Sequence, residues 1–402
     1  MTTYPEIQKA AEAIRDRVLR TPLVLSPTLS RMFKADIYLK LENLQTTGSF
    51  KIRGATYKLI VNRGRIGPQG VVAASAGNHA QGVALAARQL GILATIFMPE
   101  WASISKQEAT RAYGGKVIIS GKSVNESLGK AKELADRGAM MIHPYDDDEI
   151  IAGQGTVALE ILSELSDPDM ILAPVGGGGL ISGIATAVKA MTKKTKIIGV
   201  QAASCPSAVV SRQNGKITPV TTTPSIADGI SVKQVGSLTF DIIQKHVDSI
   251  VAVAEESIAS AVLFLLERKK MLAEGAGAVP VAALLDGTVA IPKGGKVVLV
   301  ISGGNMDSPL IGRIINQGLS KHSRVMRLSV TLEDIPGSLA KLLSHVASLK
   351  ANVLHIRHDR NVGDIPINMS RVVLELETRG PEHVNEIADA LRRLKYEIKT
   401  EP

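Results

Sequence analysis

A single cysteine, Cys205, leaves the chain without any internal disulfide, so its stability must come from a packed core. This excludes a disulfide-stapled scaffold and is compatible with a reducing compartment. No histidine motif points to Cys205, which reads as a buried or incidental thiol rather than a nucleophile. Aromatic residues are also scarce, at 3%, so Ala, Val, Ile and Leu must fill the interior. No apolar run approaches the roughly 18 residues that a membrane helix needs. The opening residues, Met1 to Glu6, are polar and do not resemble a secretory signal. Low-complexity tracts are absent. The expectation is a cytoplasmic protein with no membrane contact.

The formal charge is +9, yet the Lys and Arg residues are dispersed among acids. Without aromatic interleaving or a nucleic-acid motif, this charge reads as a solvated surface, and no nucleic-acid partner is expected. Part of the excess would help attract small anionic ligands.

Glycine is plentiful, at 36 residues, and it clusters. Apolar strands alternate with helical segments from Gly70 to His143 and again from Ile150 to Ile301. This order implies parallel βαβ units in sheets covered on both faces. A change of character near Lys321 to Arg324 predicts a linker. Beyond it, the order strand, helix, strand, strand, helix, strand from Val325 to Lys399 is ferredoxin-like. The expected organisation is a large subdomain from 1–45 and 149–320, a small subdomain from 46–148, and a terminal domain from 325–402.

Lys51 lies in Thr47-Gly48-Ser49-Phe50-Lys51-Ile52-Arg53-Gly54-Ala55. Most lysines are solvated, and this one taken alone would be read so. Three glycine-rich loops change that balance: Ser75-Ala76-Gly77-Asn78-His79, Gly176-Gly177-Gly178-Gly179 and Ser302-Gly303-Gly304-Asn305. The last two follow apolar strands, where open parallel sheets bind ligands. Gly176 to Gly179 precede a helix, and backbone N–H groups there can cradle a phosphate. They lack the GxGxxG spacing of a dinucleotide site. A plain tight turn remains an equal reading of this loop. Helix capping by Ser75 or Asn78 is the plain reading of the other. One lysine with three such loops suggests a Schiff-base lysine and a phosphorylated cofactor.

GSFKIRGA, SAGNHAQG, GGGGL and SGGN, in that order, resemble the pyridoxal-phosphate enzymes of the tryptophan-synthase-β-like fold, and within them the threonine ammonia-lyases. The terminal segment resembles an ACT regulatory domain, on Asp334-Ile335-Pro336-Gly337 and Asn352. The resemblance implies an α/β protein of two three-layer parallel-sheet catalytic subdomains plus the ferredoxin-like ACT domain. It also implies pyridoxal 5'-phosphate on Lys51, beside Phe50, with Asn78 at the ring hydroxyl. Gly176, Gly177, Gly178, Gly179 and Leu180 would hold the phosphate, and Ser302 would face the ring nitrogen. Glu274 would lie near the ring edge, although a helix-capping carboxylate fits it equally. Ser75, Ala76, Gly77, Asn78 and His79 would receive the substrate carboxylate.

The implied reaction is β-elimination of L-threonine to 2-oxobutanoate and ammonia, with L-serine as a side substrate. A single methyl separates the two substrates, worth about 1–3 kcal/mol in a pocket. Related racemases carry Ser where Ala76 stands, so little racemisation is expected. They also place an acidic metal ligand where Gln201 aligns, so no metal is expected. The terminal domain would bind an amino acid, isoleucine or valine, between paired copies of a homo-oligomer, dimer or tetramer. The alternatives are an L-serine dehydratase or racemase, or a non-catalytic amino-acid sensor.

Overall fold

The structure, a computed structural model, describes residues 1–401, which divide into two compact units, 1–310 and 311–401. The first unit contains two open sheets. The larger has six strands in the order Leu23–Leu25, Asp36–Leu41, Lys296–Ile301, Met170–Pro174, Lys196–Ala202 and Ser249–Val253. All its neighbours are parallel except the first pair. The smaller sheet has four parallel strands in the order Lys116–Ile119, Ala94–Met98, Val71–Ala74 and Met140–Met141.

The central strands explain why these sheets are parallel. Met170–Pro174, Val71–Ala74 and Ala94–Met98 are buried at every position, which suits a strand covered by helices on both faces. The helices covering the large sheet are Ala- and Gly-rich. Asp148–Glu164 packs on Gly179–Met191, where a Cβ on Gly183 would run into the backbone of Ile151 and Gly155. The cores of both sheets are almost wholly aliphatic, as the shortage of aromatics requires.

The second unit contains a four-stranded antiparallel sheet. Its order is Asn352–Asp359, Met369–Glu377, Val325–Glu333 and Glu397–Glu401, with helices Ser338–Ser348 and Pro381–Arg393. This is the ferredoxin-like arrangement. Met326, Leu328, Val330 and Leu332 alternate inward along the first strand and pack with Leu342, Val346, Ile387 and Leu391.

Several elements carry little sequence signal. Helix Pro27–Phe33 is only seven residues long, too short to establish a stripe. Strand Ser249–Val253 lies at the sheet edge and is largely half-buried. Helices Ser207–Asn214 and Ser308–Lys321 are likewise absent from the sequence pattern. Among the described residues, no helix is long and apolar enough to cross a membrane.

Candidate active site

Lys51 begins helix Lys51–Asn62, with Phe50 at its N-cap. Its Nζ donates to the Pro144 carbonyl at 2.9 Å and lies 5.1 Å from the centre of the Phe50 ring. Burial disfavours the charged amine and brings its pKa down to about 8, with the Glu274 carboxyl opposing the shift. An amine of this kind spends part of its time uncharged near neutral pH, as a nucleophile or base must.

The Lys51 segment is tied to the loop after the strand Lys296–Ile301. Ser49 bridges Gly303, Phe50 N donates to Ser302 O at 3.2 Å, and Gly304 N donates to Gly48 O at 2.9 Å. Gly48 needs its positive φ of 70°, and a Cβ there would overlap the Asn305 side chain. Asn305 Nδ2 donates to Thr47 O and to Asn78 Oδ1, both at 2.8 Å. Asn78 Nδ2 in turn donates to Glu274 Oε1 at 2.7 Å. Phe50, Lys51, Asn78, Glu274 and Ser302 therefore converge.

Two plain readings of these loops fail. Ser75 and Asn78 do not cap the helix Asn78–Leu90, whose N-cap is Gly77 and lacks a side-chain cap. Ser75 Oγ instead accepts from Gly77 N at 3.2 Å. Glu274 stands at the N-cap of Gly275–Leu285 without capping it by its side chain. Its carboxyl is buried, and desolvation, followed by the Asp228 charge, raises its pKa to about 8. It is thus largely neutral at pH 7.

His79 points its ring away from the loop, and Nε2 donates to Ile142 O at 2.9 Å. Desolvation, reinforced by Lys51, lowers its pKa to about 3. Its backbone, not its imidazole, is what the loop can offer. Ala76 is half-buried, and a Cβ on Gly77 would meet nothing within 4 Å, so space is open there.

Gly176 to Gly179 lead into the helix Gly179–Met191, whose N-cap Gly178 has φ 100°. The first-turn N–H groups have no intrahelical acceptor. A Cβ on Gly176 would crowd Ile230, and one on Gly177 would overlap the Tyr145 ring. The neighbours leave no room for a side chain at either glycine. The adjacent segment Asp228–Ile230 joins this loop to the rest, since Gly229 lies beside Glu274 and Asn78.

Sequence reasoning missed a buried ion network behind Lys51. Arg53 donates to both Glu42 oxygens at 2.8 Å and to Glu160 Oε1 and Oε2 at 2.6 and 2.9 Å. Lys40 Nζ pairs with Glu160 Oε2 at 2.5 Å and donates to Thr21 O. It also missed Tyr145, and Lys106, which pairs with Asp228 at 2.7 Å. Ser103 and Ser105 hydroxyls donate to Asp307 beside it, at 3.0 and 2.7 Å. Gln201 is structural: its Oε1 accepts from Ala208 N and Val209 N. Cys205 is buried, with its thiol donating to Val232 O at 3.2 Å.

In the second unit, Asp334 pairs with Arg360 at 3.0 Å and Ile335 is exposed. Pro336 precedes Gly337, which takes φ 92° at the N-cap of Ser338–Ser348. Asn352 is not beside them. It pairs in register with Glu377, level with Val325, whereas the 334–337 loop follows Glu333 at the opposite end of that strand.

A desolvated lysine at a helix start, with glycine loops among two open, mainly parallel sheets, defines a lysine-centred α/β enzyme. The residues fit pyridoxal 5'-phosphate: an amine able to lose its charge for the aldehyde, and a side-chain-free loop for the phosphate. The family model for the pyridoxal-phosphate dependent enzyme matches residues 14–303, and the chain belongs to that family. Pyridoxal 5'-phosphate is its cofactor. The chain is 48% identical over 400 residues to the L-threonine ammonia-lyase of Thermotoga maritima, covering 99% of each chain. Among solved structures, a threonine deaminase from T.th. matches with TM-score 0.71 and 38% identity, over 76% of this chain and 99% of that one. Maize serine racemase matches with TM-score 0.74 and 33% identity, over 80% of this chain and 99% of that one. The fold is that of the type II pyridoxal-phosphate enzymes.

Proposed function

We propose that this protein is a threonine ammonia-lyase, converting L-threonine to 2-oxobutanoate and ammonia, with L-serine as a slower substrate. The observation that carries the reading is the 48% identity to an L-threonine ammonia-lyase across 99% of both chains. When bound, the cofactor supplies an aldehyde for the amines and an electron sink for the Cα carbanion.

Lys51 would hold the cofactor through its Nζ, and its amine, when free, would serve as the base for the Cα proton. Its depressed pKa supports that role, and the Pro144 carbonyl orients its Nζ. The Gly176–Leu180 backbone would receive the phosphate, with Phe50 beside the ring and Asn78 at the ring hydroxyl. Ser75, with the backbone from Ala76 through His79, receives the substrate carboxylate in the open space at Gly77. Ser302 would offer the ring nitrogen a neutral hydroxyl, where an Asp would supply a negative charge to keep a proton there. Such a partner would leave a weaker electron sink and so would favour β-elimination over transamination. Ala76 offers no proton for return to Cα, which disfavours the racemase reading.

The second unit acts as an ACT domain that binds isoleucine or valine, as suits a biosynthetic enzyme in the isoleucine route. Asp334 to Gly337 and Asn352 lie at opposite ends of one sheet, so an effector touching both needs a paired copy, and the protein works as a homo-oligomer. The small region 46–148 closes on the rest of the first unit, with the Lys106–Asp228 and Ser105–Asp307 contacts joining them. The test is turnover of L-threonine against L-serine, with and without isoleucine and valine. Selective 2-oxobutanoate release with an isoleucine response is expected; no oxo acid from either substrate would overturn the reading. Release unaffected by isoleucine or valine would remove the effector assignment alone.

A further inference from the structure

The segment His143 to Asp147 is a strap between strand Met140–Met141 and helix Asp148–Glu164, and it crosses the glycine loop. Each part of it is pinned. His143 Nδ1 accepts from Tyr145 N at 3.3 Å and Asp146 N at 2.7 Å. The Asp146 carboxylate accepts from Ser237 N, Leu238 N and Thr239 N at 3.0, 2.9 and 3.2 Å, capping Ser237–His246. Asp147 Oδ1 caps the next helix through Glu149 N and Ile150 N. The Pro144 carbonyl accepts from Lys51.

Tyr145 therefore enters from a fixed backbone. Its ring meets the His143 imidazole edge-on, with centroids 4.7 Å apart and planes at 79°. It lies directly over Gly177, while its own backbone abuts Gly179. Thr239 Oγ1 holds the other side of the loop by donating to Gly177 O at 2.7 Å. The ring thus stands on the glycine loop, and the carbonyl of the preceding residue, Pro144, accepts from the Lys51 amine. An anion bound to backbone N–H groups is held more tightly where water is kept out. A ring on a pinned backbone excludes water at little cost in conformational entropy.

We propose that Tyr145 is the cover of the glycine loop: its ring shields the cofactor's phosphate and governs how tightly that phosphate is retained. This rests on the reading of Gly176 to Gly179 as the phosphate-holding loop. Tyr145 acts as a binding residue through its ring face, with no proton transfer assigned to the hydroxyl.

The test compares binding of pyridoxal 5'-phosphate and of pyridoxal, which lacks the phosphate, to the apoprotein. Wild type should strongly prefer the phosphorylated form. Tyr145→Leu should weaken pyridoxal 5'-phosphate binding about tenfold or more and leave pyridoxal binding nearly unchanged, compressing the preference. Tyr145→Phe should bind as wild type does. Melting of the apoproteins checks folding, and Tyr145→Met provides the same comparison should the Leu variant not fold. Undiminished preference in the Leu or Met variant overturns the cover. So does equal weakening of both ligands, or a Phe variant as weak as Leu. A wild type that binds both ligands equally instead overturns the phosphate-loop reading itself.

Discussion

Arg53 and Glu42 form a fully buried, two-pronged ion pair, Nε to Oε2 and Nη2 to Oε1 both at 2.8 Å, two residues beyond Lys51 in the same helix. Burial opposes the charge on Arg53, yet Glu42 and Glu160 more than compensate and raise its pKa. The pair fixes the helix start to the end of strand Asp36–Leu41. Removing one member strands a buried charge. Arg53→Met should therefore destabilise the apoprotein by about 3–5 kcal/mol, measured by denaturant unfolding. Arg53→Lys should recover only part of this, because an ammonium cannot span both carboxylates in two-pronged fashion.

The Lys51 amine should react at unusually low pH. With its pKa near 8 rather than 10.5, half of it is uncharged at about pH 8. An exposed lysine there is only about 0.3% uncharged. Aldehyde modification of the apoprotein at Lys51, followed by peptide mapping, should therefore rise through a midpoint near pH 8. A midpoint near 10 would contradict the burial argument. Lys51→Ala should abolish both this modification and turnover.

Glu274 sets a pH dependence of stability with the opposite sign to that of an ordinary carboxylate. Its pKa stands at about 8 in the fold against 4.5 unfolded. Between those values the folded state holds a proton that the unfolded chain has released, so stability falls as pH rises through that window. Glu274→Gln should remove this component, and the variant should gain on wild type as pH rises from 5 to 8. Thermal melting of the two apoproteins across that range checks the sign.

Ala76→Ser should introduce D-amino-acid formation from L-serine, because a hydroxyl then stands where the chain has no proton donor. Chiral analysis of the product mixture measures it. Oxo-acid formation should persist at a rate within about tenfold of wild type. Wild type releasing D-serine as fast as pyruvate would contradict the role given to Ala76.

The parallel strands, their covering helices and the ferredoxin-like second unit were legible because apolar runs and glycine punctuation mark them locally. The loops at Asn78, Gly176 and Ser302 stand out by their glycines, and the fold joins those at Asn78 and Ser302 to the Lys51 segment, but the roles assigned to them rest on the family resemblance rather than on local pattern. The Arg53 partners were not, since Glu42 and Glu160 sit on other elements and nothing near them in the chain records the pairing. Tyr145 escaped because its partner is a glycine, which leaves no complementary side chain to notice. The direction of His79 depends on helix phase against Ile142, which only the packed sheet determines.

Strand Lys296–Ile301 lies between Asp36–Leu41 and Met170–Pro174 in the large sheet, and Ser302 follows it. During synthesis from the N-terminus, both neighbours leave the ribosome long before the strand that must join them. Until it arrives, each presents an open edge able to pair wrongly. The nascent chain also has no Ser302 or Gly303 against which to seat Lys51. Cofactor capture is thereby postponed until the catalytic unit is nearly complete, which makes the late strand a target for chaperone dependence and for truncation-sensitive aggregation.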